Sequence, residues 1–277
     1  MGNDPGPEAA WGQSQRSSGW VAPTPRYRPL DGPARMVQVL LGVFMLVILV
    51  AAAGELPGII RLLHEPSGLL QAPTGAFDGR QTLLAWLQLG AYLLTAVGFV
   101  VWFHRGYANL PALGMEPLPF APVWAVGAWL VPLLNLLRPK QIMDAIWRGS
   151  DPEQPRYDAF WRQGPVPALV RLWWAVFVMS WLVDRVSLAL LYNGSQTVPA
   201  RRVGGIGLLA SHILDLVLAL LCSQLLRRAT RRQQARAARL GVVPSRLVLR
   251  LHLPLRRWWR PPVRQPRPPA RHAARRA

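Results

Sequence analysis

Residues 122–151 read PVWAVGAWLVPLLNLLRPKQIMDAIWRGSD, and this stretch decides the fold. Its first half, up to Leu137, carries no charge, whereas charged residues follow at short intervals from Arg138 onward. A switch of this kind is typical of the boundary between a membrane and water. The stretch therefore predicts a membrane protein rather than a soluble domain.

Two prolines and an asparagine interrupt the apolar half, at Pro132, Asn135 and Pro139. Each proline removes a backbone donor and bends or breaks a helix, and Asn135 lies where freed carbonyls need a donor. Broken helices at membrane depth line substrate sites in transporters. The same pattern fits a kinked helix whose freed carbonyls bond to Asn135 and to neighbouring helices. The sequence leaves both interpretations open, and it predicts a short amphipathic helix over 140–148.

The composition supports the membrane interpretation. Of 277 residues, 51% are hydrophobic and 16% are charged, below the quarter or so that soluble domains carry. Lys and Arg number 32 against 13 Asp and Glu, and no acidic residue follows Asp215. The single cysteine, Cys222, excludes a disulfide within the chain, and no Cys/His cluster has metal-ligand spacing. We therefore expect no metal and no cofactor.

Apolar blocks predict an all-α transmembrane helical bundle, because a backbone in lipid must satisfy its hydrogen bonds internally. About five spans are expected, the third of them broken by proline, at 36–54, 81–103, 121–137, 166–191 and 204–226. The first span is expected to stop at Glu55–Gly58. The Gly/Pro/Ser-rich segment 1–35 and the Arg/Pro-rich segment 227–277 cannot bury a core and are predicted to be disordered tails.

Lys and Arg concentrate on the side of the C-terminus, which predicts a cytoplasmic C-terminus in the plasma membrane. The charge pattern leaves the side of the N-terminus open. It also leaves open whether 121–137 crosses the membrane or re-enters it. We choose a crossing, which predicts that Pro117 and Ser150 lie on opposite sides of the membrane.

Several further segments resemble one known family. They are Val101–Arg105, Trp124–Pro132, Ile146–Arg148, Trp173–Trp174, Val183–Arg185 and Ala210–Asp215. Together they resemble the domain-of-unknown-function family 4328, uncharacterised actinobacterial membrane proteins, over about 36–240. The family often has an aromatic where Ala128 stands and Asp where His212 stands. The resemblance implies a multi-pass integral membrane protein, and it implies no activity, substrate or catalytic residue.

A polar cluster in the last two spans is the first candidate site: Asp184, Arg185, His212 and Asp215. A charge at membrane depth is costly and usually has a partner. Counting inward from the connecting loop brings the four to similar depth, which predicts an Arg185–Asp215 ion pair and an Asp184–His212 hydrogen bond. The cluster fits a proton or ion site, and it also fits a structural clamp between two helices.

A basic set at the start of the C-terminal tail is the second candidate: Arg227, Arg228, Arg231 and Arg232. Such juxtamembrane clusters attract anionic lipid headgroups. Nucleic acid would attract the same charge, but the set follows directly on a span, so lipid is always within reach. We therefore expect anionic lipid rather than nucleic acid, although the arginines also fit a plain orientation signal.

Enzyme motifs are missing from the sequence, which contains no G-x-S-x-G, no H-E-x-x-H and no phosphate-binding glycine loop. The glycines at 204, 205 and 207 fit close helix packing instead. We expect a non-enzymatic membrane scaffold or envelope-associated protein, partnered by lipid and by a second copy or another membrane protein. The alternative is a small ion- or proton-coupled transporter that uses the polar residues of the last two spans.

Overall fold

A computed structural model describes residues 26–64, 75–193 and 198–242. Within these ranges the structure is all-helical and contains no strand, which confirms the predicted fold class. The α-helices are α1 Asp31–His64, α2 Gly75–Ala108, α3 Trp124–Leu130, α4 Arg138–Gly149, α5 Ala168–Leu188 and α6 Val198–Arg239. Short 3₁₀ turns lie at Pro111–Leu113, Leu134–Leu136 and Trp161–Gln163, and a π-helical turn, Ala189–Asn193, follows α5.

Four of the described helices, α1, α2, α5 and α6, are long and apolar enough to cross a membrane. Their outward faces carry large apolar side chains: Leu46 and Leu94 are each 62% exposed. In a bilayer these faces would contact lipid, since the backbone of each helix is already hydrogen-bonded within itself. This is the build of an integral membrane protein.

The four long helices pack in the order α2, α1, α6, α5. The contact between α1 and α6 at the centre of this order is stabilised by a polar pair. Gln38 of α1 and Ser223 of α6 share two hydrogen bonds of 2.9 and 2.7 Å. At the other edge of α1, Thr95 of α2 donates to the Leu40 carbonyl at 3.3 Å. Consecutive helices run antiparallel, so the chain crosses back and forth.

One end of the bundle carries a compact assembly of three chain segments, 26–30, 109–167 and 227–242, which we call the platform. Asn109 Nδ2 donates to the Arg28 carbonyl at 2.7 Å, and Gln233 Nε2 donates to the Ser150 hydroxyl at 3.2 Å. These contacts join the first, middle and last segments at one end. The 42 residues of α6 span about 63 Å, roughly twice a bilayer core, so its last turns reach into the platform.

The third predicted span, 121–137, is not a crossing helix. Its only α-helix among the described residues, α3, has 7 residues and is about 10 Å long, too short for a core of about 30 Å. The described chain thus has four helices that can cross, where five were favoured. Trp129 of α3 instead wedges between α2 and α5, with its ring 5.7 Å from Phe99 and 5.8 Å from Phe177.

Four crossings place the N-terminal and C-terminal segments at the same end of the bundle, as the platform contacts require. The prediction that Pro117 and Ser150 lie on opposite sides of the membrane differs from this arrangement, which brings both residues to the same end of the bundle. Arg162 Nη2 donates to the Pro117 carbonyl at 3.0 Å, and Ser150 bonds to Gln233, so both positions belong to the platform. The charge pattern could not decide between four and five crossings, because it predicts a cytoplasmic C-terminus in both cases.

Several predicted boundaries shift, because helices continue through residues that usually end them. The first helix starts at Asp31, inside the predicted tail 1–35, and runs past Pro57 to His64 instead of stopping at Glu55–Gly58. The last helix continues through the basic stretch to Arg239. The remaining parts of the predicted tails, 1–25 and 243–277, lie outside the described residues.

Candidate functional site

The polar cluster of the last two spans is arranged differently from the prediction. Asp215 accepts a hydrogen bond from the Ser180 hydroxyl. Arg185 Nε lies 3.9 Å from Asp184, and Arg185 is 62% exposed. His212 bonds to neither acidic residue of the set. Both predicted pairs, Arg185–Asp215 and Asp184–His212, are therefore wrong.

The register between α5 and α6 explains this difference. Gly207 approaches Ser187 so closely that a Cβ at Gly207 would overlap the Ser187 hydroxyl. Ser187 of α5 thus lies level with Gly207 of α6, and the two helices run antiparallel. Counting nearly the same number of residues away from the connecting loop along each helix brings Ser180 opposite Asp215. Arg185 then lies more than one turn nearer the connecting loop, too far from Asp215 for an ion pair.

Glu55 of α1 is the functional candidate that the sequence reasoning missed. His212 Nε2 lies 3.1 Å from Glu55 Oε2, and the two side chains are 4% and 22% exposed. Glu55 was assigned to a helix stop because Pro57 and Gly58 follow it. The signal that could have found it is its position directly after an uncharged run of 19 residues, 36–54, where a carboxylate needs a partner.

The Glu55–His212 pair can exchange a proton between a carboxylate and an imidazole. His212 Nδ1 is buried and, among the described residues, has no hydrogen-bond partner. A second proton acceptor or donor is thus left free inside the bundle. No group of three or more His, Cys, Asp or Glu in the described ranges is placed to hold a metal ion.

The broken element Pro132–Asn135–Pro139 is a turn with its own hydrogen bonds. Leu134 donates to the Pro132 carbonyl at 2.8 Å across Leu133, whose φ is 67° and ψ is −45°, near the rare γ-turn geometry. The expected donor role of Asn135 is wrong: among the described residues its side-chain amide donates to no carbonyl, and its buried Oδ1 has no partner there. Backbone N–H groups of the turn bond instead to the carbonyls of Val131, Leu133 and Leu134. Pro139 starts α4 rather than breaking a helix.

The amphipathic helix predicted over 140–148 is present as α4. Its apolar face is covered by protein rather than by lipid, because Ile142, Met143 and Ile146 are each 0% exposed. On its polar face Lys140 Nζ and Asp144 Oδ2 lie 2.6 Å apart. The apolar face of α4 therefore belongs to the buried core at the platform end of the bundle.

The basic set divides in two. Arg227, Arg228 and Arg231 are exposed, as an anionic-lipid contact requires. Arg232 is engaged by protein: its Nη2 lies 2.9 Å from Asp151 Oδ2, and its guanidinium lies 4.7 Å from the Trp147 ring centroid. Three of the four predicted arginines thus present free charge at the junction between bundle and platform.

A buried polar network in the platform was not predicted. Arg236 is 0% exposed and donates to the carbonyls of Leu113, Asp151, Gln154 and Pro155. Gln233, also 0% exposed, accepts from Asn109 Nδ2 at 2.8 Å and donates to the Gly106 carbonyl at 3.0 Å. The available signal was a stripe of uncharged residues among the arginines, Ala229, Thr230, Gln233 and Ala237, at helical spacing.

The network also holds the N-terminal segment. Asn109 Oδ1 accepts from the Arg28 N–H at 2.9 Å, and Trp102 Nε1 donates to the Thr230 hydroxyl at 3.0 Å. Tyr27 is 4% exposed, and burial together with the negative charge of Asp31 raises the pKa of Tyr27 to about 12. The phenol therefore stays neutral at physiological pH and packs as part of the platform.

Comparison with known proteins identifies one family. The family model described as "Domain of unknown function (DUF4328)" matches residues 68–231, which include α2 through most of α6. Neither a curated protein nor a solved structure matches the chain.

Proposed function

Since this chain belongs to the DUF4328 family, whose function is unknown, we propose from its own residues that it is a non-enzymatic membrane scaffold. The supporting observation is the platform, in which Gln233 and Arg236 tie three distant chain segments into one unit. A packed unit at one end of a bundle holds segments 26–30 and 227–242 close together. Such an arrangement suits a protein that positions partners at the membrane surface.

The surface of the platform supports the same proposal. Tyr157 and Phe160, in the loop before α5, are 74% and 68% exposed, and Arg228 and Arg231 of α6 are also exposed. Aromatic residues and arginine are enriched at protein interfaces. We place the platform on the cytoplasmic side of the plasma membrane, where the excess of Lys and Arg belongs, with anionic lipid and a second copy or another membrane protein as partners.

Site-specific photocrosslinking in intact cells tests the scaffold proposal. A photoreactive residue replaces Phe160 or Arg231 on the platform, and Leu46, 62% exposed on the membrane face of α1, is the matched control. We expect discrete protein adducts from the two platform positions and lipid adducts from Leu46. Adducts with lipid alone from all three positions would refute a scaffold.

A second function, proton-coupled transport, is favoured by one observation, the pair of Glu55 and His212 at 3.1 Å inside the bundle. Charged groups at membrane depth often mark proton pathways. Reconstituted vesicles test it: a proton flux that is lost in Glu55→Gln and in Asp215→Asn, but kept in the exposed control Arg239→Gln, would establish transport. Equal flux in all four proteins would exclude it.

A further inference from the structure

A cavity of about 430 Å³ opens at the platform, between the turn after α3, one side of α4 and the loop before α5. Its volume lies in the range of roughly 300–1,000 Å³ typical of small-molecule sites. Three arginines line it: Arg138 and Arg148 of α4, and Arg162 of the loop. Residues from two separate elements thus bring positive charge to one partly open space.

The three arginines are held by neutral groups. Arg138 lies 4.0 Å above the Phe120 ring, Arg148 Nε donates to the Gly164 carbonyl at 2.7 Å, and Arg162 Nη2 donates to the Pro117 carbonyl at 3.0 Å. None of the ion pairs within the described ranges includes any of the three. Arg162 also lies 5.9 Å from the Trp161 ring centroid. Each guanidinium is therefore positioned by one or two neutral contacts and keeps further N–H donors for a ligand.

One carboxylate, Asp144, also lines the cavity, and it does not cancel this charge. Its Oδ2 pairs with Lys140 Nζ at 2.6 Å, and Lys140 lies outside the lining. The pair is neutral as a whole, so the three arginines leave the cavity strongly positive. An anion with several acceptor oxygens fits such a site, because guanidinium groups bind phosphate through paired hydrogen bonds.

Two buried polar atoms of the lining lack partners among the described residues. Trp161 is 1% exposed and its indole Nε1–H is unpaired, and Asp144 is 8% exposed with Oδ1 unpaired. A buried donor or acceptor without a partner is costly. Each of the two atoms has almost no accessible surface of its own, so a small rotation of Trp161 and Asp144 must expose it to the cavity. A ligand that then offers an acceptor to Trp161 and a donor to Asp144 would remove both costs.

The surroundings of the cavity are apolar. Leu137, which lines it, is 62% exposed, and Leu133 and Leu130, on the same segment, are 78% and 79% exposed. Leucines exposed to this degree at the base of a transmembrane bundle suit contact with hydrocarbon chains. The site therefore has a charged interior and an apolar entrance. These two parts match the charged headgroup and the hydrocarbon chains of a lipid.

We propose that this cavity binds the phosphate headgroup of a membrane lipid. Arg138, Arg148 and Arg162 donate to the phosphate oxygens, and Trp161 adds an indole N–H. Asp144 Oδ1 accepts from a hydroxyl or ammonium group of the same headgroup, while the hydrocarbon chains run along the exposed leucines. This site is distinct from the exposed arginines of α6 and does not depend on the scaffold proposal.

Native mass spectrometry of the detergent-purified full chain tests the proposal, with dioleoyl phosphatidylglycerol as the probe. Dioleoylglycerol, which lacks the phosphate, and glycerol phosphate, which lacks the chains, are the comparison ligands. We expect phosphatidylglycerol to bind at least about tenfold more tightly than either, since only this ligand makes both the charged hydrogen bonds and the apolar contacts. Equal binding of glycerol phosphate would assign the site to a free phosphate compound and overturn the lipid assignment.

Variants then locate the binding. Arg138→Gln and Arg162→Gln should each weaken phosphatidylglycerol about tenfold, and Trp161→Phe, which keeps the ring and loses one donor, should weaken it less. Arg228→Gln, which removes an exposed arginine of α6, is the matched control and should bind as the parent does. Arg162 and Arg228 are both exposed, so these two variants should keep the parent's melting temperature. Parent-like affinity in Arg162→Gln, or a loss in Arg228→Gln equal to that in Arg162→Gln, would overturn the proposal.

Discussion

The two ends of the bundle are built in different ways. At the platform, large side chains such as Met115, Trp161 and Arg236 are fully buried, and hydrogen bonds cross between distant segments. At the opposite end, α5 and α6 meet through glycine and serine, and the charged side chain of Asp184 remains 34% exposed. The platform thus has the packing of a globular protein, whereas the opposite end relies on close backbone contact, as membrane helices do.

The largest expected effect is an all-or-none difference in labelling between the two ends. In a Cys222→Ser background, cysteines replace Pro117 and Arg231 on the platform and His64 at the end of α1. We expect an impermeant thiol reagent to modify the cysteine at 64 in intact cells and those at 117 and 231 only after permeabilisation. Modification of the cysteines at 117 and 231 from different sides of the membrane would show that the platform is not a single unit.

The next largest effect concerns Arg236, which donates to four backbone carbonyls. Arg236→Met should lower the free energy of unfolding by about 3 kcal/mol or more, because each buried carbonyl left unpaired costs about 1–3 kcal/mol. Arg239→Met is the matched control, since Arg239 is 54% exposed and its pair with Glu153 contributes little. Denaturant titration in detergent measures both variants, and equal midpoints would show that the network does not hold the platform.

These two ends also differ in how far the sequence predicts them. The four long helices follow from uncharged runs, and the packing role of Gly204 and Gly207 follows from the glycines themselves. The platform does not, because Gln233 and Arg236 sit in a basic stretch that has the composition of a solvated tail. The uncharged stripe that includes Gln233 indicates a face that could be buried, but a local pattern does not show that residues 106–155 cover it, nor that they also bury Arg236.

The candidate site divides in the same manner. Asp215 and His212 stand out as polar residues in apolar runs, so the sequence finds them. Their partners, Ser180 and Glu55, depend on the register of α5 against α6 and on which face of α6 meets α1. Counting residues from a loop gives depth along a helix, but it does not give the direction in which a side chain points.

Helix contact at the end opposite the platform gives a smaller effect. A Cβ at Gly204 would lie 3.0 Å from the Ser187 carbonyl oxygen and 2.8 Å from Leu191 Cγ. Gly204→Ala should therefore lower the free energy of unfolding by about 1–2 kcal/mol through overpacking. Gly90→Ala, where no atom lies within 4 Å, should instead raise it by about 0.5–1 kcal/mol through helix propensity. Thermal melts of the two alanine variants check the sign, and destabilisation by both would remove the case for close backbone contact at Gly204.

The smallest effect belongs to the pair of Glu55 and His212. Hydrogen bonds between membrane helices contribute about 0.6 kcal/mol on average, since the partners also find other bonds when the helices separate. A double-mutant cycle of Glu55→Gln and His212→Phe should therefore give a coupling free energy near that value, far below the loss expected for Arg236→Met. A coupling free energy of about 3 kcal/mol or more would mean that buried polar bonds stabilise both ends of the bundle. The proposed difference between the platform and the opposite end would then be refuted. A small coupling joined to a clear loss of proton flux in Glu55→Gln would instead show that the carboxylate is placed there for transport, because the fold gains little from it.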